Sequence, residues 1–349
     1  MCKSPLADGR GSLLCRKCVT AIEWRGMWGN RLGWILATCL LMLEILFVVM
    51  VSRQDWVSAP TSFSQQTEYL SPLEFPFSPT VVVPSMTRSE DTGATYREAI
   101  NDVLASRDEY DAYNEKGKDS DKPRLRAIFL LHQAASSTRA RIFLSQPEQV
   151  INYNGEKPEL DALISAGRAA LRAGLLRQKT DPADAQEHLE AAFSLGWKMY
   201  QERLSDAELR AGFDLFGQAA LALEKLAENG GDSSRAQQLK DFNAARVQFY
   251  KNRIEPVRRI IISIDPNIIA GSIGDYFYFA KNATERVWKI EAVLAIGRLQ
   301  YYVGENGRAA NQSGARREIA SLVDDPDPLV RCAAKAARDL TIEQYRQIR

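Results

Sequence analysis

The residues best suited to chemistry are few in this chain. Only two histidines, His132 and His188, occur among its 349 residues. Asp184 precedes His188 by one helical turn, so a carboxylate and an imidazole would share one helix face and could together bind a metal ion. No third ligand follows at a suitable spacing, and an exposed pair of surface side chains accounts for the pattern equally well. His132 lies in the apolar run IFLLHQAA, which is typical of a histidine packed in a core or groove.

The cysteines provide neither a disulfide framework nor a complete metal site. Cys15 and Cys18 form a CxxC motif near the N-terminus, but a structural zinc site needs four ligands and this segment contains three thiols and no histidine. A metal shared between two chains and thiol modification are alternatives to free thiols in a disordered tail. The sequence contains no nucleophile elbow, HExxH, P-loop or dinucleotide fingerprint. We therefore assign no catalytic, cofactor-binding or metal-binding residues, and expect no cofactor.

An apolar run at residues 32–51 is long enough to cross a bilayer, because about 20 helical residues span roughly 30 Å. The preceding residues 1–31 are expected to be a disordered stub with six basic and two acidic residues. This excess of positive charge predicts a cytoplasmic N-terminus and an extracytoplasmic, periplasmic C-terminal part. A cleaved signal peptide and a lipidated Cys39 are the alternatives to an uncleaved signal anchor. Met27 is an alternative start, in which case residues 1–26 would not be part of the protein.

Three residues in the apolar run suggest a contact between membrane helices. Gly33, Ala37 and Glu44 would share one helical face, and small residues four apart allow helices to approach closely. An acid inside the bilayer is costly and usually faces protein. We predict that this face associates with a second membrane helix. The alternative is a run apolar enough to tolerate one protonated Glu44.

The chain beyond the apolar run predicts an arm followed by helices. Residues 52–94 are rich in Pro, Ser and Thr but also carry large apolar side chains, so we expect an extended arm partly packed along a helical body. Residues 95–262 are expected to form helical hairpins, with helices over 96–113, 124–144 and 159–176. Helix starts are predicted at Asp181-Pro182 and at a capping box of Ser205 with Glu208, and a stop at Gly230-Gly231.

Two segments resemble helical-repeat families. Residues 195–200, LGWKMY, resemble the first helix of a tetratricopeptide hairpin. Residues 287–299 and 329–340 are alike at an offset of about 42 residues, and the second segment with its Asp327-Pro328 start resembles the second helix of a bacterial HEAT-like repeat. In that family the alanines pack between helices. The resemblance implies an all-α chain: a single transmembrane helix followed by a right-handed α-solenoid of helical hairpins, with a HEAT-like repeat pair at 283–349.

An unusual stretch, residues 263–282, separates the hairpins from this repeat pair. Pro266 and two glycines predict an irregular connector, and Asn282 is expected to cap the next helix. Four consecutive aromatic residues line a candidate groove for a ligand or partner; they are Tyr276, Phe277, Tyr278 and Phe279.

These observations favour a non-enzymatic scaffold. The chain resembles bacterial membrane-anchored proteins, and its overall net charge of +1 indicates no affinity for nucleic acid. Helical repeats form extended surfaces for protein partners. We expect partners to bind through the transmembrane helix and the solenoid surface. The alternatives are an enzyme, or an enzyme accessory, of envelope metabolism with its site near 263–282, and an extracytoplasmic protein that binds a small ligand.

Overall fold

The computed structural model describes residues 72–116, 126–154, 156–261, 273–302 and 312–348, and this part of the chain is mostly helical. It lies within the second of the two compact units of the chain, residues 62–349. The helices are α1 (Gly93–Ala105), α2 (Arg107–Lys116), α3 (Arg126–Ala134), α4 (Pro158–Arg177), α5 (Pro182–Glu202), α6 (Asp206–Asn229), α7 (Ser233–Phe249), α8 (Glu255–Ile261), α9 (Ile273–Asn282), α10 (Arg286–Leu299), α11 (Gln312–Leu322), α12 (Pro328–Asp339) and α13 (Ile342–Ile348).

The predicted membrane span and its contact face, Gly33, Ala37 and Glu44, lie outside the described residues. Within the described residues, no helix combines the length and the apolarity that a bilayer crossing requires.

The hairpin of α5 and α6 lies at the centre of the helical body and packs against α4 on one side and α7 on the other. Its helix starts are as predicted. The Asp181 carboxylate accepts the amide of Asp184, and the Ser205 hydroxyl accepts the amide of Glu208. The Glu208 carboxylate reaches back to the amide of Leu204 rather than to Ser205 itself. Helix α6 ends at Asn229, and Gly231 follows with φ +76°, a conformation that favours glycine.

Glycines bring the two helices of this hairpin into close contact. A Cβ on Gly196 would lie 2.5 Å from the backbone nitrogen of Phe216, and a Cβ on Gly212 would lie 2.7 Å from the carbonyl oxygen of Gly196. The two backbones therefore touch where side chains are absent. Gly196 belongs to the segment that resembles a tetratricopeptide helix.

Two of the predicted helices are wrong in extent. The segment 96–113 is interrupted at Ser106, and the change in direction buries Tyr110, whose hydroxyl donates to Asp102 at 2.6 Å. The segment 124–144 is helical only to Ala134.

A short parallel pair of strands replaces the second half of that predicted helix. Strand β1 (Arg88–Asp91) pairs with β2 (Ser137–Arg139), with an irregularity in register. The hydroxyl of Ser137 donates to the carbonyl of Glu90, and that of Thr138 to the carbonyl of Arg88. Such side-chain bonds to backbone compete with a helix, which explains the error.

Helix α7 continues into α8 through a π-helical turn, Tyr250–Ile254, immediately before Pro256. Proline has no amide hydrogen and disturbs the helix that precedes it. The predicted kink or stop at Pro256 is thus a widened turn.

The C-terminal helices pack as the internal similarity suggests. Helices α10 and α12, which contain the two similar segments, lie against each other, and their alanines are buried. Asp327 caps α12 by accepting the amide of Leu329.

Two predictions for the segment that precedes α10 are wrong. Residues 273–282 form α9 instead of an irregular connector, and Asn282 ends α9, whereas Glu285 is the N-cap of α10.

Candidate functional site

The four residues of the predicted aromatic groove point to different sides of helix α9. Tyr276 and Phe279 are buried in the core, whereas Phe277 and Tyr278 are half-buried. The ammonium of Lys281 lies 5.8 Å from the centre of the Phe277 ring. Two of the four predicted groove residues therefore contribute to packing, because consecutive positions on a helix point in different directions. Residues 263–272 of this segment lie outside the described residues.

An aromatic groove of a different origin holds the segment 72–83, here called the docked arm. The groove consists of rings from three consecutive helices: Trp197 and Tyr200 on α5, Phe216 on α6, and Phe242 and Phe249 on α7. Its rings lie 5–6 Å apart, mostly edge to face. Sequence periodicity places each ring on the core face of its helix, but it does not show that the rings converge.

Residues 72–78 of the docked arm enter this groove as an extended segment, and Pro79–Val81 then form a single 3-10 turn. Leu73, Phe75 and Phe77 face the body, while the residues between them are exposed. The ring of Phe75 lies 5.2 Å from that of Phe242 and 5.3 Å from that of Phe249, measured between ring centres. Of the arm predicted over residues 52–94, the part before residue 72 lies outside the described residues, and residues 73–77 pack along the helical body.

Hydrogen bonds hold the backbone of the docked arm. The amide of Leu73 donates to Glu285 at 2.6 Å, and its carbonyl accepts the Tyr200 hydroxyl at 2.7 Å. The guanidinium of Arg235 donates to the carbonyls of Val81 and Val82. Alternating side chains in pockets and bonds to the backbone are the means by which proteins bind extended peptides.

Two open grooves lie on either side of the exposed face of α4. The groove between α2 and α4 has a volume of about 310 Å³, and the groove between α4 and α6 about 370 Å³. Asp161, Ile164 and Arg168 line both, so α4 forms the ridge between them. The second groove also contains Arg210 and Asp214, so that it carries both signs of charge.

The buried ionisable side chains have structural partners. Lys198 is fully buried, and its ammonium donates to the Tyr96 hydroxyl, the Ala134 carbonyl and the Ser194 hydroxyl at 2.7–2.9 Å. The Ala134 carbonyl ends α3, so Lys198 satisfies a group that the helix leaves free. Burial lowers the pKa of Lys198 to about 7.

Glu202 closes the loop that follows β2. Its carboxylate accepts the amides of Ile142, Phe143 and Leu144 at 2.6–3.0 Å. Burial raises the pKa of Glu202 to about 7, and the three amide bonds oppose this shift. Lys198 and Glu202 lie one turn apart on α5, and each fixes a different part of the chain onto that helix.

The structure brings the two histidines together. His132 on α3 and His188 on α5 lie with Nε2 of the first 2.8 Å from Nδ1 of the second. Asp184 lies beside His188, as its spacing predicts, and Glu187 lies beside His132. The sequence shows no sign of this contact, because 56 residues separate the histidines and their helices meet only in the tertiary structure. Within the described parts of the chain, no group of three or more His, Cys, Asp or Glu side chains is arranged to hold a metal ion.

Comparison with known proteins identifies no relative. No protein-family model matches the sequence, and no curated protein and no solved structure matches it either.

Proposed function

We propose that this chain is a single-pass membrane-anchored scaffold that binds protein partners without catalysing a reaction. In this proposal its helical body is a right-handed solenoid of tetratricopeptide-like and HEAT-like hairpins, held on the extracytoplasmic side behind the span at residues 32–51. The observation that supports it best is the docked arm, which occupies the aromatic groove as a bound peptide.

The docked arm supports the proposal in two ways. It is bound as an extended peptide by three consecutive helices, and helical-repeat scaffolds bind their partners on such surfaces. Backbone hydrogen bonds from Tyr200 and Arg235 hold the arm, as they would hold a partner's extended segment. The packing of α4, α5, α6 and α7, each against the next, agrees with stacked hairpins.

The surface that we assign to partners is the exposed face of α4 with its two flanking grooves. The groove between α2 and α4 combines charged side chains with apolar ones, including Leu104, which is 39% exposed. Arg168 is exposed on the ridge and lines both grooves. A mixed polar and apolar surface of this kind suits a protein partner that dissociates and rebinds.

Site-specific crosslinking tests this assignment. A photoreactive amino acid at position 168 of the full-length chain, activated in its native membrane, should capture a discrete protein adduct. The same group at Lys335, an exposed residue of α12, is the matched control and should not capture that adduct. The charge reversals Arg210→Glu and Asp214→Lys should lower the yield at position 168. Identical adducts at both positions, or none at position 168, would contradict the proposed surface.

A further inference from the structure

The two histidines face each other through one nitrogen each. His132 Nε2 and His188 Nδ1 are 2.8 Å apart, and the ring planes make an angle of 73°. They are the only histidines of the chain, and they come from two helices that pack together. The side chains are 24% and 11% exposed, so the pair lies at the edge of the helical body and is open to solvent.

The other nitrogen of each ring faces a carboxylate. Asp184 Oδ1 lies 3.5 Å from His188 Nε2, and Glu187 Oε2 lies 4.0 Å from His132 Nδ1. Arg177 holds Asp184 in place through a contact of 2.5 Å. Around metal-binding histidines a carboxylate commonly accepts the proton of the far nitrogen and leaves the near nitrogen free to bind. Asp184 and Glu187 lie on that side of the two rings. Without metal the two near nitrogens share a hydrogen bond, so binding an ion requires the donor ring to carry its proton on its far nitrogen instead.

We propose that His132 and His188 together bind one divalent transition-metal ion of the zinc, copper and nickel class, through Nε2 of His132 and Nδ1 of His188. Imidazole nitrogens suit these ions. Two nitrogens at the usual zinc–nitrogen distance in a tetrahedral site lie about 3.3 Å apart, so the rings need to separate by only about 0.5 Å. Water completes the coordination, since the chain supplies only two ligands.

The surroundings favour a cation. Asp184 and Glu187 together outweigh the positive charge of Arg177 by one unit.

Nuclear magnetic resonance of the full chain labelled with ¹⁵N-histidine tests the proposal, with Zn²⁺ as the probe. Since the untagged chain has two histidines, the four ring nitrogens report on this pair alone, whatever zinc the thiols take up. With zinc in excess, His132 Nε2 and His188 Nδ1 should shift as metal ligands, while the other two nitrogens both carry protons. Unchanged ring signals, or shifts of the opposite nitrogens, would overturn the proposal.

Variants distinguish a shared ion from two independent imidazoles. In His132→Gln the zinc affinity measured at His188 should fall tenfold or more, because the chelate is lost. Asp184→Asn should weaken zinc binding by about 10–100-fold, the usual effect of removing such a carboxylate. Glu228→Gln, at an exposed position near the end of α6, should leave the affinity unchanged. If His188 binds zinc equally well without His132, the two histidines do not form one site.

Discussion

Lys198 carries a charge into the interior at a measurable cost. Its folded pKa, about 7, lies below the value of about 10.4 for a lysine in an unfolded chain. Between these values the unfolded chain binds a proton that the folded chain does not, so folding is favoured increasingly as pH rises. The slope of the free energy of unfolding against pH approaches about 1.4 kcal/mol per pH unit between the two pKa values. It vanishes well below pH 7, where Lys198 is protonated in both states.

We predict that this slope disappears in Lys198→Met. The free energy of unfolding of the unaltered chain, minus that of the variant, should rise from pH 7 to pH 9 in urea titrations. Lys240→Met removes an exposed ammonium from α7 and serves as the control. A difference that stays constant over this range would show that Lys198 does not change its protonation there.

Glu202 stabilises the fold by accepting hydrogen bonds from backbone amides, so its removal should be costly. Removing the carboxylate in Glu202→Ala leaves three buried amides, those of Ile142, Phe143 and Leu144, without their acceptor. An unsatisfied buried donor costs about 1–3 kcal/mol, so the free energy of unfolding should fall by about 3 kcal/mol or more. The exposed Glu228→Ala should change it little, and equal effects of the two substitutions would contradict the role given to Glu202.

At the scale of elements, Gly196 sets the approach of α5 to α6. In Gly196→Ala the new Cβ would meet backbone atoms of Phe216 and Gly212, and backbone cannot turn aside as a flexible side chain can. We expect a loss of about 1–3 kcal/mol in the free energy of unfolding, as for other overpacked contacts. Gly230→Ala is the matched control, because its nearest neighbour is an ordinary 3.4 Å away. Thermal unfolding of both variants measures this loss. If Gly196→Ala were as stable as the unaltered chain, the two helices could move apart without cost, which would contradict the role given to Gly196.

The docked arm can be tested as an element. Phe75→Ala removes the ring that contacts α5, α6 and α7, and should weaken docking by about 2–3 kcal/mol, the lower end for a large aromatic side chain because Phe75 is half-buried. Hydrogen exchange of the amides in residues 73–83 should accelerate accordingly. Glu74→Ala alters the exposed neighbour and should leave exchange unchanged. Equal exchange in all three proteins would show that the ring does not hold the arm.

Helix positions were predictable where local chemistry determines them. The caps at Asp181, Ser205 and Asp327 are satisfied within one turn of their own helix, and the prolines and glycines act on their own backbone. The error at residues 137–139 arises where a distant segment supplies the partner, as Glu90 does for Ser137. The histidine pair and the aromatic groove follow the same rule, since each consists of residues that only tertiary packing brings together.

At the scale of the whole molecule, the proposed membrane span makes its own prediction. If Gly33, Ala37 and Glu44 form a contact face, then Gly33→Ile and Glu44→Leu should each reduce association of the isolated span in a reporter assay in a bacterial membrane. Ile35→Leu is a matched control, because it preserves apolarity on the opposite side of the predicted helix. Undiminished association in both variants would leave the run as a simple anchor.

The bond between Leu73 and Glu285 has a consequence for the order in which the molecule is made. The two residues are 212 positions apart, so at about 5–20 residues per second a ribosome takes roughly 10–40 s to synthesise Glu285 after Leu73. Helices α5, α6 and α7 are also completed only late in this interval. The arm must therefore wait, undocked, while the rings of its groove emerge. A nascent chain halted before α7 is complete would expose the arm and the unfinished groove at once, and such a chain is where we expect chaperones to act.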